Sequence, residues 1–202
     1  MANDSTVDRS IGLLKDGLSK LDLDSDNSLI SLLCKYIDEI ELFNPAYGLV
    51  KVQDRCELVI KHILDSLAPV GIFRRLIETS VLPAMPAVAD VGSGAGLPGI
   101  PLAMCMPDAS FTLIERMGRR AGFLRNTIAV LGLSNVQIEE TDMEKLKFNS
   151  VNNSGYDLIV FRAFKPLDPI ILRDLSRLLK PYPYYICHSS TAFNKKLSIV
   201  IS

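Results

Sequence analysis

A chain of 202 residues with 48 % hydrophobic content is long enough for one well-buried domain with a small helical appendage. A formal charge of −1 gives no global pull toward nucleic acid or an anionic membrane surface, so any polyanion must be met by a local basic patch. Cys34, Cys56, Cys105 and Cys187 are widely spaced and form no C-x-x-C pair, which argues against a zinc knuckle or a disulfide framework and fits a reducing cytoplasm.

The N-terminal stretch "MANDSTVDRS" is polar and lacks an apolar h-region, so residues 1–27 are expected to be partly disordered and to carry no secretory signal. From Ser28 to Leu42 the apolar residues Leu29, Ile30, Leu32, Leu33, Tyr36, Ile37 and Ile40 recur at helical spacing, and "CELVIKHILDSL" and "GIFRRLIETSVL" continue the pattern. Residues 28–82 thus read as a helical extension. At Pro83 the character changes: "AVADV", "SFTLIE", "NVQIE" and "YDLIVF" are β-rich runs separated by the helical candidates "GIPLAMCM", "RRAGFLRNTIAVLG" and the shorter "DMEKL". "DPIILRDLSRLLK" predicts a further helix ended by Pro181, and "YYIC" a fifth strand. The alternation over residues 83–202 predicts an α/β fold, a mainly parallel twisted sheet with helices on both faces. Residues 79–107 carry one charge, Asp90, but their five prolines and four glycines rule against a membrane-spanning helix.

Ligand chemistry concentrates in "AVADVGSGAGLPGIPL", residues 87–102. Gly94, Gly96 and Gly99 satisfy G-x-G-x-x-G, which leaves open a dinucleotide site and an NAD-dependent oxidoreductase. The strand, however, runs directly into Asp90-Val91-Gly92, and acid-x-Gly-x-Gly-x-Gly resembles the first motif of S-adenosylmethionine-dependent methyltransferases. That cofactor has no phosphate, so backbone must pass close to its methionine and ribose while Asp90 reaches its ammonium directly or through water. Glu115, 23 residues after Gly92, stands at the spacing for a carboxylate that accepts from ribose hydroxyls, a feature both cofactors share.

"HILDS" (His62 to Ser66), "DVGSGAGLPGIPLA" (Asp90 to Ala103), "GRRAGFLR" (Gly118 to Arg125) and "RAF" (Arg162 to Phe164) together resemble the glucose-inhibited division protein B family over about residues 28–181. The resemblance implies a Rossmann-like methyltransferase fold with S-adenosylmethionine as cofactor. It implies transfer to N7 of a guanine in bacterial small-subunit (16S) ribosomal RNA, as naked RNA or an assembled particle, with no metal and no membrane. Carried over by residue, Asp90, Gly92, Gly94, Gly96, Leu97 and Glu115 would hold the cofactor, with Met143 and Glu144 around its adenine. Arg162 would line the cofactor and target site as the catalytic positioning group, and Arg119, Arg120 and Arg125 would contact RNA, arginine being suited to bidentate phosphate contacts.

The chain departs from the family at "YGLV" (Tyr47 to Val50), at Phe161 before the "RAF" arginine, and at Cys187-His188-Ser189. The run "KKLSIVIS" supplies one closing antiparallel strand, so the C-terminal antiparallel part is expected to be incomplete, and a cofactor-binding fold without transfer stays open as an alternative. His62, Asp65 and Ser66 lie within little more than one helical turn; they read as a helix-surface cluster, outside the catalytic set. Cys187 reads as a strand-end core residue rather than a nucleophile or a metal ligand.

Overall fold

The computed structural model describes residues 4–24, 26–146, 155–162, 168–188 and 197–201. Its centre is a six-stranded sheet in the order β3-β2-β1-β4-β5-β6, built from β1 (Ala87–Val91), β2 (Ser110–Ile114), β3 (Val136–Glu139), β4 (Tyr156–Arg162), β5 (Leu179–His188) and β6 (Leu197–Ile201). Every pairing is parallel except that of β5 with β6, which runs antiparallel from Tyr184 opposite Ile201 to His188 opposite Leu197. The expected closing strand therefore forms. "YYIC" proves to be the end of a longer strand, and the helix predicted over residues 168–180 is shorter, α8 (Pro169–Ser176), because Leu179 already pairs with Tyr156.

Central strands of such a sheet are covered on both faces and must be apolar throughout. Val88, Leu158 and Val160 belong to the larger core cluster, shared with the N-terminal helices, whereas Ala89, Val91, Ile159 and Phe161 face the other way against Met143, Ile171, Leu175 and Leu178. The period of two in β1 and β4 thus splits one sheet between two cores. On the larger face lie α6 (Gly99–Cys105) and α7 (Gly118–Leu131), the latter closed by Gly132 in the left-handed conformation.

Over that face packs the N-terminal extension, and it begins earlier than the sequence indicated. Residues expected to be partly disordered form α1 (Asp4–Lys20). Leu14 and Leu18 are 0 % exposed, so the four-residue spacing that looked polar overall carries an apolar stripe hidden among serines and aspartates. Arg55, 4 % exposed, fixes this layer: its Nε donates to Ser10 Oγ at 3.1 Å and its Nη1 pairs with Asp38 and Glu41 at 2.7 and 2.5 Å. Next come α2 (Asn27–Tyr47), capped by the Asp26 carboxylate, and a continuous helical run of α3 (Arg55–Leu58), a π-helical turn (Val59–Leu64) and α4 (Asp65–Leu67); α5 (Val70–Glu78) leads to the sheet. Among the described residues, no helix is long and apolar enough to cross a membrane.

Candidate active site

The glycine loop leaves the carboxyl end of β1, where parallel sheets place their ligands. Gly92, Gly94 and Gly96 adopt φ of 71°, 59° and 89°, in the region that side chains other than glycine rarely occupy. They do different things. A Cβ on Gly94 would meet nothing nearer than the Gly92 carbonyl at 3.8 Å, whereas one on Gly96 would run into Ile100 and approach Leu124 Cδ2 to 3.0 Å. Gly94 keeps a surface open; Gly96 lets α6 and α7 close under the loop.

Three anchors hold the loop. Glu115, 4 % exposed, accepts the Gly94 N–H at 2.9 Å through Oε2 and the Met117 N–H at 2.8 Å through Oε1, tying the loop to the end of β2. Beneath it, Asp90 is fully buried, and its Oδ2 accepts the Gly99 N–H at 3.0 Å. Desolvation pushes this carboxyl up to about 7, against the opposing pull of the Gly99 bond. From the helical layer, the buried Tyr36 hydroxyl donates to the Ala95 carbonyl at 2.8 Å.

Two adjoining cavities flank the loop, with Gly92 and Arg120 in the wall of both. The first, of about 500 Å³, is lined by Ser93, Gly94, Leu97, Arg120 and Arg162, and by Lys51, Lys61, His62 and Asp65 from the extension. The second, of about 270 Å³, lies over Ile114, Glu115, Met117, Asp142 and Met143. Together they offer what an S-adenosyl group requires: open glycine backbone, a carboxylate at the end of β2 with lone pairs left for hydroxyls, and the apolar side chain of Met143 for a base.

Several of the predicted residues line the cavities and others do not. Gly92, Gly94, Leu97, Glu115, Met143, Arg120 and Arg162 line the cavities. Asp90 lines neither; its carboxylate braces Gly99 under the loop instead of presenting to the cavity. Gly96 is likewise turned to packing. Glu144 is exposed, and it is Asp142, accepting the Glu144 N–H at 3.4 Å, that joins Met143 in the wall. Arg119 is exposed beside the site, and Arg125 is paired with Glu140 at 2.5 Å. Cys187 has no described side chain.

Of the cluster read as a helix surface, His62 and Asp65 belong to the wall of the first cavity. Arg162, at the carboxyl end of β4 and with only 6 % of its side chain exposed, reaches the π-helical turn. Its Nη2 lies 2.7 Å from His62 Nδ1, its Nη1 donates to the Lys61 and His62 carbonyls at 3.3 and 3.4 Å, and Asp65 Oδ2 stands 3.5 Å away. The π-turn presents both carbonyls to the guanidinium, and the His62 carbonyl accepts the Asp65 N–H as well. Burial, with the Arg162 charge adding to it, holds His62 down to about 4. Ser66 is buried, with its hydroxyl on the His62 carbonyl at 2.6 Å. The pairing spans a hundred positions, and only the recurrence of "HILDS" together with "RAF" hinted at it.

The sheet order with a reversed edge strand, the acid-led glycine loop and the carboxylate at the end of β2 define an S-adenosylmethionine-dependent methyltransferase. Solved structures share the architecture. One from Plasmodium falciparum, described as a putative protein-L-isoaspartate O-methyltransferase in complex with S-adenosyl-L-homocysteine, matches 95 % of this chain and 89 % of its own with a TM-score of 0.55 at 17 % identity. A putative O-methyltransferase from Klebsiella pneumoniae matches 86 % and 70 % with a TM-score of 0.52 at 20 % identity. At these identities the likeness establishes the fold. Residues 29–188 match the family described as GidB, rRNA small subunit methyltransferase G, and the chain belongs to that family. It is 37 % identical to "Ribosomal RNA small subunit methyltransferase G" of Treponema denticola, over 85 % of this chain and 76 % of that protein, and 36 % identical to the Acinetobacter baylyi protein of the same name, over 85 % and 73 %. Family membership removes the dinucleotide oxidoreductase that G-x-G-x-x-G left open.

Proposed function

We propose that the chain methylates N7 of a guanine in small-subunit (16S) ribosomal RNA of the cytoplasm, with the ring presented in the larger cavity. One observation carries the choice of acceptor atom: among the described residues, those that could remove a proton there are already engaged. His62 Nδ1 faces Arg162 Nη2, an atom that only donates, and Asp65 lies against the same guanidinium. A hydroxyl, an amino group or an activated carbon would call for a base in such a position. Guanine N7 has an in-plane lone pair and no proton at neutral pH, so the site need only orient it.

S-adenosylmethionine, when bound, supplies an electrophilic methyl group carried by a positively charged sulfur. Gly92, Gly94 and Leu97 would hold its methionine side, Glu115 its ribose and Met143 its adenine. Arg162 acts by position: fixed to the π-turn, it can donate to guanine O6 on the same edge as N7 while leaving N7 clear. Lys51, Lys61 and Arg120 line the same cavity, with Arg119 exposed beside it, so the phosphates flanking the target meet positive charge despite the near-neutral chain.

Replacing the target guanine by 7-deazaguanine tests the reading, since it removes one acceptor atom and little shape. Transfer should be abolished while RNA affinity is largely kept. In single turnover the rate on the natural substrate should stay nearly flat from about pH 6.5 to 9, because no group that gives or takes a proton in the transfer titrates there; Asp90, near 7, lies under the loop and outside both cavities. Methyl transfer to the deaza substrate, or a rate rising tenfold per pH unit, would place the methyl on another atom.

A further inference from the structure

We infer that His62 is a positioning residue, contributed by the helical extension, that acts by holding Arg162 in its working orientation. The inference deepens the proposed function, on which its rate assay rests, and goes beyond the cofactor and RNA contacts that the resemblance implies.

Four features carry it. Arg162 is the last residue of β4, and the 2.7 Å contact to His62 Nδ1 is the shortest of its polar contacts. Every guanidinium nitrogen donates, so Nδ1 must be the acceptor and the ring proton must sit on Nε2. The Lys51 backbone also bears on the ring, and Lys51 lines the same cavity, so His62 stands between β4 and the loop that carries Lys51. Finally, the π-turn that presents His62 also offers the Lys61 and His62 carbonyls to the same guanidinium, which fixes its plane as well as its place.

A charged imidazolium could not do this. It would carry a proton on Nδ1 and repel Arg162, and the depression of His62 to about 4 keeps the ring neutral over the working range. Among the described residues, the charged and titratable groups facing it are Arg162, Lys61, Glu57 and, across Arg162, Asp65. Of these, Glu57 favours the charged ring, but it is itself bonded to Lys61.

The decisive experiment combines two variants, one background and a spectrum. His62→Phe keeps the ring's shape and removes the acceptor, whereas His62→Asn places an amide oxygen where Nδ1 was. Single-turnover transfer to small-subunit RNA should fall about 10- to 100-fold in His62→Phe, as for a misplaced positioning group, and return to within about fivefold of the parent in His62→Asn. In an Arg162→Ala background, His62→Phe should cause no further loss, either of rate or of calorimetric affinity for S-adenosylhomocysteine. Nitrogen-15 NMR of the parent, which has only two histidines, should show His62 in the Nε2–H tautomer and untitrated down to pH 5. Equal rates for all His62 variants, an additive loss in the Arg162→Ala background, failure of His62→Asn to rescue a folded protein, or an Nδ1–H tautomer would each overturn the inference. Absence of transfer by the parent would count against the functional reading alone, because the affinity and tautomer measurements still decide whether His62 holds Arg162.

Discussion

Replacing Gly94 and Gly96 separately by alanine should divide binding from stability, although the two stand two residues apart with positive φ in the same loop. Both variants meet backbone strain of roughly 1–2 kcal/mol for forcing a Cβ into the left-handed region. For Gly94→Ala that is nearly the whole cost to the fold, since the new methyl lies 3.8 Å from the Gly92 carbonyl and otherwise in open space. Gly96→Ala adds a clash in a close-packed region, with Ile100 Cγ1 at 2.8 Å and Leu124 Cδ2 at 3.0 Å from the new carbon. Both neighbours are 0 % exposed and cannot move into solvent. Overpacking of this kind costs about 1–3 kcal/mol more, giving roughly 2–5 kcal/mol in all. At about 2–4 °C per kcal/mol for a chain of this size, Gly96→Ala should melt some 4–20 °C below the parent.

Calorimetric titration with S-adenosylhomocysteine at low temperature then supplies the second axis. Gly94→Ala should lose at least about tenfold in affinity, 1.4 kcal/mol, because its methyl occupies the cradle wall, while Gly96→Ala should bind nearly as well as the parent. The reverse pattern, Gly94→Ala melting as low as Gly96→Ala with its affinity intact, would show that the loop does not cradle the cofactor.

Glu115→Ala leaves the Gly94 and Met117 N–H groups without their charged acceptor and should cost about 1–3 kcal/mol in S-adenosylhomocysteine affinity, read by calorimetry. The pH dependence of stability should show two opposed contributions. Asp90, raised to about 7, stabilises most below the ordinary carboxylate range and loses that contribution as pH climbs toward 7, whereas His62, lowered to about 4, loses its contribution as pH falls from 6.5 to 4. Urea titrations of Asp90→Asn should therefore reveal stability that rises from pH 4 to 6.5, while the parent stays flatter; parallel profiles would mean that Asp90 does not titrate there. In RNA binding, Arg119→Ala should flatten the salt dependence without touching cofactor affinity, Arg120→Ala should weaken both, and Arg125→Ala should change the salt slope least because Glu140 already engages it. A slope change for Arg125→Ala equal to that for Arg119→Ala would contradict this ordering.

Much of the sheet was legible because parallel strands buried on both faces are short apolar runs with abrupt ends: "AVADV" is β1 residue for residue, and "YDLIVF" falls one short of β4. The loop was legible for the same local reason, an acid and three glycines within seven positions. What stayed hidden was non-local. That Asp90 points beneath the loop depends on Gly99 passing close above it, where a Cβ would stand 2.7 Å from its Oδ2. That His62 and Asp65 face a cavity depends on how the extension lies across the sheet, which helical periodicity cannot specify. For α1 the failure was compositional: serines and aspartates masked an apolar stripe of only a few residues.

The bond from the Tyr36 hydroxyl to the Ala95 carbonyl joins the extension to the loop across 59 positions, and Arg162 joins the same extension to the end of β4. Cofactor binding and the docking of the extension are therefore coupled equilibria: a ligand that prefers the ordered loop must, by the same free energy, favour the docked helices. The extension is thus a reporter of occupancy. Amide hydrogen exchange along α2 should slow when S-adenosylhomocysteine is added, even though most of that helix never touches it, and Tyr36→Phe should loosen the coupling while leaving both partners folded.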